Sequence, residues 1–183
     1  EVDGLTKEEK MVQSIGLVLI LAFCVPASSL RPGSAFPRSG HLEIVRNEMN
    51  SGRAAHTATL LHDGRVLIVG GMKYGGGSIA EVEIFDPSKM SFIDAGRLNT
   101  ARSGHTASLL PDGKVLISGG YNVGYLQTSE IFDPKSGRFI TGPMLTLARS
   151  EHTATTLPDG TILLAGGVGT GWTFLAESEI FDQ

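Results

Sequence analysis

The sequence has very little cysteine. Its only cysteine, Cys24, lies close to the N-terminus of the 183-residue chain. One cysteine cannot build a disulfide framework, and the fold must therefore be held together by packing.

The sequence also lacks long runs of charged residues or of apolar residues. The formal net charge is −4, and no cluster of basic residues is present to attract nucleic acid. The longest apolar stretch, Ile15 to Val25, covers about eleven residues and is too short to span a bilayer. Aromatic residues make up 7% of the chain, whereas glycine occurs 24 times, which is typical of many short strands joined by tight turns. No long helical pattern occurs, and we predict an all-β protein.

The sequence contains an internal repeat, best seen from Gly52 to Pro87. Three histidines are separated by 49 and 47 residues, and three Gly-Gly pairs step by the same distances. These landmarks are His56, His105 and His152, with Gly70-Gly71, Gly119-Gly120 and Gly166-Gly167. A fixed period near 50 residues indicates an array of identical supersecondary units.

The sequence pattern of each repeat unit predicts four antiparallel strands. A first apolar run follows Arg-x-x-His and is joined by Asp-Gly to a second run, which predicts a two-residue hairpin turn with positive φ at both residues. The second run ends at Gly-Gly, a variable loop leads to a third, and Asp-Pro separates the third from a fourth. The predicted first strand is Thr57–Leu61 in the first unit, and the predicted second strands are Val66–Val69, Val115–Ser118 and Ile162–Ala165. The predicted third strands are Val82–Phe85, Ser129–Phe132 and Ser178–Phe181, and the predicted fourth strands are Ser91–Ile93 and Arg138–Ile140. Four antiparallel strands per period describe one propeller blade.

The strings TATLLHDGRVLIVGG and EIFDP, with their later copies, resemble the kelch repeat of secreted bacterial proteins, in the superfamily of the galactose oxidase central domain. The resemblance covers Leu42 to Asp182. It implies a kelch-type β-propeller of about three four-stranded blades, at residues 50–98, 99–146 and 147–183, which form an incomplete ring.

The N-terminal part precedes the repeats. Residues 1–10 are predicted to be an upstream extension or a non-native start, and residues 11–27 a secretory signal peptide cleaved after Ala27. The alternative for this stretch is a short membrane anchor. Residues 28–40 are predicted to be a linker and residues 41–183 the propeller segment. We therefore expect a secreted, periplasmic or cell-surface protein with no membrane span once the leader is removed.

The repeats do not form a closed ring in one chain. Aligned on Arg53, Met49 takes the place of Leu98 and Leu145, so Leu42–Met49 is predicted to be the outer strand of a further blade. Propellers have roughly four to eight blades, and three would leave open edges that favour self-association. Either the sequence is part of a longer protein, or two chains pair into six blades and exchange this strand.

Residues that recur in every blade are expected to be structural rather than catalytic. Arginine and glutamate from adjacent strands or neighbouring blades could satisfy each other where they are buried. This set comprises Arg53, Arg102, Arg149, Glu83, Glu130 and Glu179, with the three histidines and the Gly-Gly pairs. A metal site of the three histidines is disfavoured because adjacent blades would hold them too far apart. The copper cofactor of galactose oxidase needs a cysteine cross-linked to tyrosine, which the repeats lack. No cofactor or catalytic residue is predicted.

The loops after the Gly-Gly pairs differ between blades, and each carries an aromatic residue. The candidate ligand contacts are Tyr74, Tyr121, Asn122, Tyr125 and Trp172. Aromatic rings among Gly, Asn and Thr suit protein or glycan ligands, although they could instead pack against the next blade. We therefore expect a non-catalytic extracellular binding or scaffold module. The alternative is the propeller part of a larger secreted carbohydrate-active or oxidase-like enzyme.

Overall fold

The structure is a computed structural model that describes residues 44–183. The predicted upstream extension, signal peptide and linker lie outside the described residues, as do the first two positions of the predicted outer strand.

Eleven strands in three sheets form the body of the described chain. The first sheet contains β1 (Thr57–Leu60), β2 (Val66–Val69), β3 (Glu81–Asp86) and β4 (Ser91–Arg97). The second contains β5 (Thr106–Leu109), β6 (Val115–Ser118), β9 (Ser129–Asp133) and β10 (Arg138–Thr141). The third contains β11 (Thr153–Thr156), β12 (Ile162–Ala165) and β15 (Ser178–Phe181).

Two short hairpins and one helical turn occupy the loops of the second and third sheets. They are β7 (Tyr121–Asn122) with β8 (Gly124–Tyr125), and β13 (Val168–Gly169) with β14 (Thr173–Phe174), the latter around the 3-10 turn Thr170–Trp172. These hairpins were not predicted from the sequence.

Each sheet is an antiparallel meander in which neighbours in sequence pair in space. The first sheet runs β1-β2-β3-β4, the second runs in the same sense from β5 to β10, and the third has β11-β12-β15 without a fourth strand among the described residues. The predicted all-β fold is confirmed, and the described chain has the architecture of an incomplete β-propeller with three blades. We number the blades one to three in chain order.

The Asp-Gly turns differ from the prediction of a two-residue loop. The Leu61 N–H donates to the Arg65 carbonyl at 2.8 Å, and the Gly64 N–H donates to the Leu61 carbonyl at 3.0 Å. The loop therefore holds three residues, and only Gly64 has positive φ, at 84°. Asp63 accepts the Arg65 N–H through Oδ1 at 3.0 Å, so the aspartate closes the turn with its side chain rather than with a left-handed backbone.

The core lies between blades rather than inside any one of them. One apolar cluster joins blade one to blade two, and a second joins blade two to blade three. Burying both faces of the central strands explains why β6 is buried along its whole length. Blade two is thus the only blade of the described chain that is covered on both sides.

The segment before blade one has no strand in residues 44–50. Asn47 donates from Nδ2 to the Met90 carbonyl at 2.8 Å, which places this segment beside the outer end of blade one. The blade that the predicted outer strand would complete is not among the described residues, so that pairing stays a prediction. Across residues 44–183, no helix has the length and apolar character needed to cross a membrane.

Candidate functional site

An arginine–glutamate pair is buried in every blade. Arg102 donates to Glu130 at 2.9 Å and Arg149 to Glu179 at 2.7 Å, and Arg53 pairs with Glu83 in the same way. The arginine side chains are fully buried. Each pair joins the segment before the first strand to the third strand of the same blade, so the partners lie within one blade and not in adjacent strands or neighbouring blades.

The arginine head groups also bind main-chain oxygens. Arg102 Nη1 donates to the carbonyls of Gly119 and Thr128 at 2.8 and 2.9 Å, and Arg149 Nη1 donates to those of Gly166 and Glu177 at 2.7 and 3.0 Å. A buried guanidinium needs this many acceptors to offset the loss of water. The charged groups of each pair therefore bond to one another and to main-chain oxygens inside the blade. None of these arginines is left facing a ligand.

The glutamates hold the chain as it enters each blade. Their carboxylates accept the backbone N–H groups of Asn50, Asn99 and Thr146, at 3.0, 2.8 and 2.6 Å respectively. These three positions follow Met49, Leu98 and Leu145. The structure therefore supports the sequence alignment of residue 49 with the two buried leucines.

The histidines connect one blade to the next. His105 Nε2 lies 3.0 Å from Thr57 Oγ1 of blade one, and His152 Nε2 lies 3.0 Å from Thr106 Oγ1 of blade two. His56 has the same position in blade one, but the described chain contains no earlier blade for it to bind. The histidines that recur at intervals of 49 and 47 residues thus mark a contact between successive blades.

Burial keeps these histidines neutral. Desolvation, with the nearby Arg102 charge, lowers the pKa of His105 to about 3. Desolvation, with Arg149, lowers the pKa of His152 to about 4. Desolvation, with Arg53, also lowers the pKa of His56. A neutral imidazole that bonds a threonine hydroxyl is suited to joining strands, and no catalytic partner lies in this set of contacts.

In blades one and two, the Gly-Gly pairs are required by close approach of the next blade. The Gly71 N–H donates to the Arg102 carbonyl at 2.9 Å, and the Gly120 N–H donates to the Arg149 carbonyl at 2.8 Å. A Cβ on Gly70 or Gly119 would lie 2.6 Å from the same carbonyl oxygens. Positive φ at these positions adds a second reason for glycine.

The three variable loops begin at equivalent places and share one surface, which we call the loop face. Each loop starts with a β-bridge to the residue after the blade's arginine: Ala54 to Met72, Ser103 to Tyr121, and Ser150 to Val168. The loops of blades one and two are also joined, because Ser78 Oγ donates to the Tyr121 carbonyl at 2.6 Å.

Four aromatic side chains on the loop face are exposed in the described chain. Tyr74 is fully exposed, Trp172 is 79% exposed and Tyr121 is 42% exposed. Phe174, also in the loop of blade three, is exposed as well. Free apolar area of this kind, carried on neighbouring loops, is typical of binding surfaces.

The loop of blade two is held by contacts between its own residues. The Tyr121 and Tyr125 rings pack edge to face with centroids 5.3 Å apart, and the Tyr121 hydroxyl donates to the Val123 carbonyl at 3.2 Å. Asn122 and Tyr125 are half-buried. Val123 at the tip of this loop is exposed and has a φ of 63°. Sequence reasoning missed this residue because valine rarely adopts that conformation.

Comparison with known proteins adds no family to these observations. No protein-family model matches the chain, and a search of curated proteins returned no significant match.

Proposed function

We propose that the chain is part of a kelch-type propeller and acts as a non-catalytic extracellular binding module, whose loop face contacts a protein or a glycan. The observation that carries this proposal is the set of exposed aromatic side chains on loops that start at the same point of each repeat. The recurrent charged residues have structural contacts already, which leaves the variable loops as the part of the repeat free to differ with ligand.

The loop face combines rigid and adaptable parts. The bridges at Met72, Tyr121 and Val168 fix the start of each loop, and the Tyr121–Tyr125 pair holds one ring at a set angle. Gly75, Gly76 and Gly77 all have positive φ, and an added Cβ there would meet no neighbouring atom. Fixed rings provide contact area at low entropy cost, whereas the glycine loop can adjust to a ligand.

The side chains of the loop face also indicate what charge the ligand carries. The exposed side chains at the loop tips are mainly aromatic, apolar or uncharged polar groups, with Lys73 beside Tyr74. Such a surface favours stacking on neutral sugar rings or on apolar side chains over recognition of a polyanion.

The test compares loop variants with a matched surface variant. The labelled chain would be applied to an array of neutral hexose and N-acetylhexosamine oligosaccharides and to a library of displayed peptides. We expect Tyr74→Ala and Tyr121→Ala to reduce binding at least tenfold, because hot-spot aromatics typically contribute 2 kcal/mol or more.

The control is Ile140→Ala, which removes an exposed apolar side chain from β10, away from the loop face. The proposal predicts that this variant binds as the parent chain does. Binding that survives both loop substitutions, or that is lost equally in the control, would contradict a ligand site on the loop face.

A further inference from the structure

The two boundaries between blades are built from equivalent residues. We call the face that packs against the following blade the trailing face, and the face that packs against the preceding blade the leading face. At the first boundary, Leu67 and Ile84 on the trailing face share a cluster with Val115, Ile117 and Phe132 on the leading face of blade two.

The second boundary repeats this pattern one blade later. Leu116 and Ile131 on the trailing face of blade two share a cluster with Ile162, Leu164 and Phe181 of blade three. The same kind of trailing face thus packs against the same kind of leading face at both observed boundaries.

The trailing face of blade three is uncovered in the described chain. Ile180 is 64% exposed, whereas Ile84 at the same position in blade one is 7% exposed. An added Cβ at Gly166 would have Leu175 O, at 3.5 Å, as its nearest neighbour, and no arginine carbonyl approaches as at Gly70 and Gly119. Among the described residues, Thr153 has no histidine bound to its hydroxyl.

Within residues 44–183, the leading face of blade one is uncovered in the matching way. Leu60 is 63% exposed, whereas its equivalent Leu109 packs against the first core cluster. Phe85 is half-buried, although Phe132 at the same position is 1% exposed. His56 has no preceding threonine within the described chain.

We propose that the trailing face of blade three binds the leading face of blade one in a second copy of this chain. His56 of one copy would take the place of His105 and bond to Thr153 of the other copy, and the Arg53 carbonyl would accept the Gly167 N–H. Since each copy offers both faces, two copies use the same contact twice and close with two-fold symmetry. The product has six blades, within the four to eight that propellers contain. This interface is independent of the ligand proposed for the loop face.

Charge substitutions on the two open faces test the pairing. Ile180→Asp and Leu60→Lys each place a charge on one face, at a side chain that is exposed in the single chain, so neither should prevent folding. We expect the parent chain to sediment at twice the 19.3 kDa chain mass, and each variant alone to sediment at the single mass.

Mixing the two variants gives the decisive result. In a mixed pair, one boundary carries both substitutions, whose charges have opposite signs, and the other boundary is unaltered, so the double mass should return. Val123→Asp is the control, because it adds the same charge at an exposed loop residue that lies on neither open face. A parent chain that sediments at the single mass at micromolar concentration, or a mixture that stays at the single mass, would overturn the proposal.

Discussion

His105 Nε2 lies 3.0 Å from Thr57 Oγ1, across the boundary between the first and second blades. The same contact joins His152 to Thr106 at the next boundary. The histidines that mark the repeat in the sequence thus hold successive blades together, and they do so in the neutral form.

Acid should weaken the fold through these histidines. Their pKa values are lowered in the folded chain, to about 3 for His105 and about 4 for His152, so the unfolded chain binds protons more readily below pH 6.5. Their contribution is complete above pH 6.5 and is lost as the pH falls towards 4. Each histidine should cost about 1.4 kcal/mol per pH unit in that window. Urea unfolding between pH 7 and 4.5 measures the slope.

Two variants identify the source of that slope. His105→Gln removes one of the two histidines that bind a proton when the chain unfolds. The unfolding free energy of this variant should therefore depend less on pH. His62→Gln, at an exposed histidine, is the matched control. Equal slopes in the parent chain and the His105 variant would show that His105 is not a buried neutral histidine.

The buried ion pairs should be costly to break. Glu130→Gln leaves the fully buried Arg102 without its countercharge, and we expect a loss of about 3–5 kcal/mol in the unfolding free energy. Glu81→Gln breaks the exposed pair with Arg97 and should cost less than about 1 kcal/mol. If chemical denaturation gave similar values for the two variants, the buried network would not have the role described for it.

The Gly-Gly pairs should tolerate no side chain where two blades meet. Gly119→Ala places a Cβ 2.6 Å from the Arg149 carbonyl oxygen and keeps φ at +63°. Gly171→Ala has a similar φ of +74° but meets no atom within 4 Å, so it should cost only the backbone strain of about 1–2 kcal/mol. Thermal unfolding should rank Gly119→Ala well below Gly171→Ala. Matching melting temperatures would mean that the close approach is not present.

Most of the strands could be predicted from the sequence, because each segment can be compared with its copies in the other repeats. Val66–Val69, Val115–Ser118 and Ile162–Ala165 have the observed bounds, since Asp-Gly and Gly-Gly delimit them on both sides. The fourth strands are longer than predicted: β4 continues to Arg97, past Gly96 with its positive φ. Period-two patterns lose their clarity at an exposed outer edge.

Other features depend on contacts that no local pattern records. The turn at Asp63 has three residues because the aspartate side chain, rather than its backbone, closes it. The hairpins Tyr121–Tyr125 and Val168–Phe174 are held by bridges to Ser103 and Ser150, far from them in sequence. The sequence did identify which loops vary, but it could not decide whether their aromatic rings pack inward or face solvent.

Fluorescence of Trp172 tests the loop-face assignment most directly, because it is the only tryptophan in the chain and lies on that face. The full chain would be titrated with the oligosaccharide or peptide that binds it most tightly in the screen, and its emission followed. The account predicts a saturable emission shift, weakened by Tyr121→Ala and unchanged by Ile140→Ala. Saturable binding that leaves Trp172 emission unaltered and is insensitive to Tyr121→Ala would place the ligand elsewhere and contradict the account.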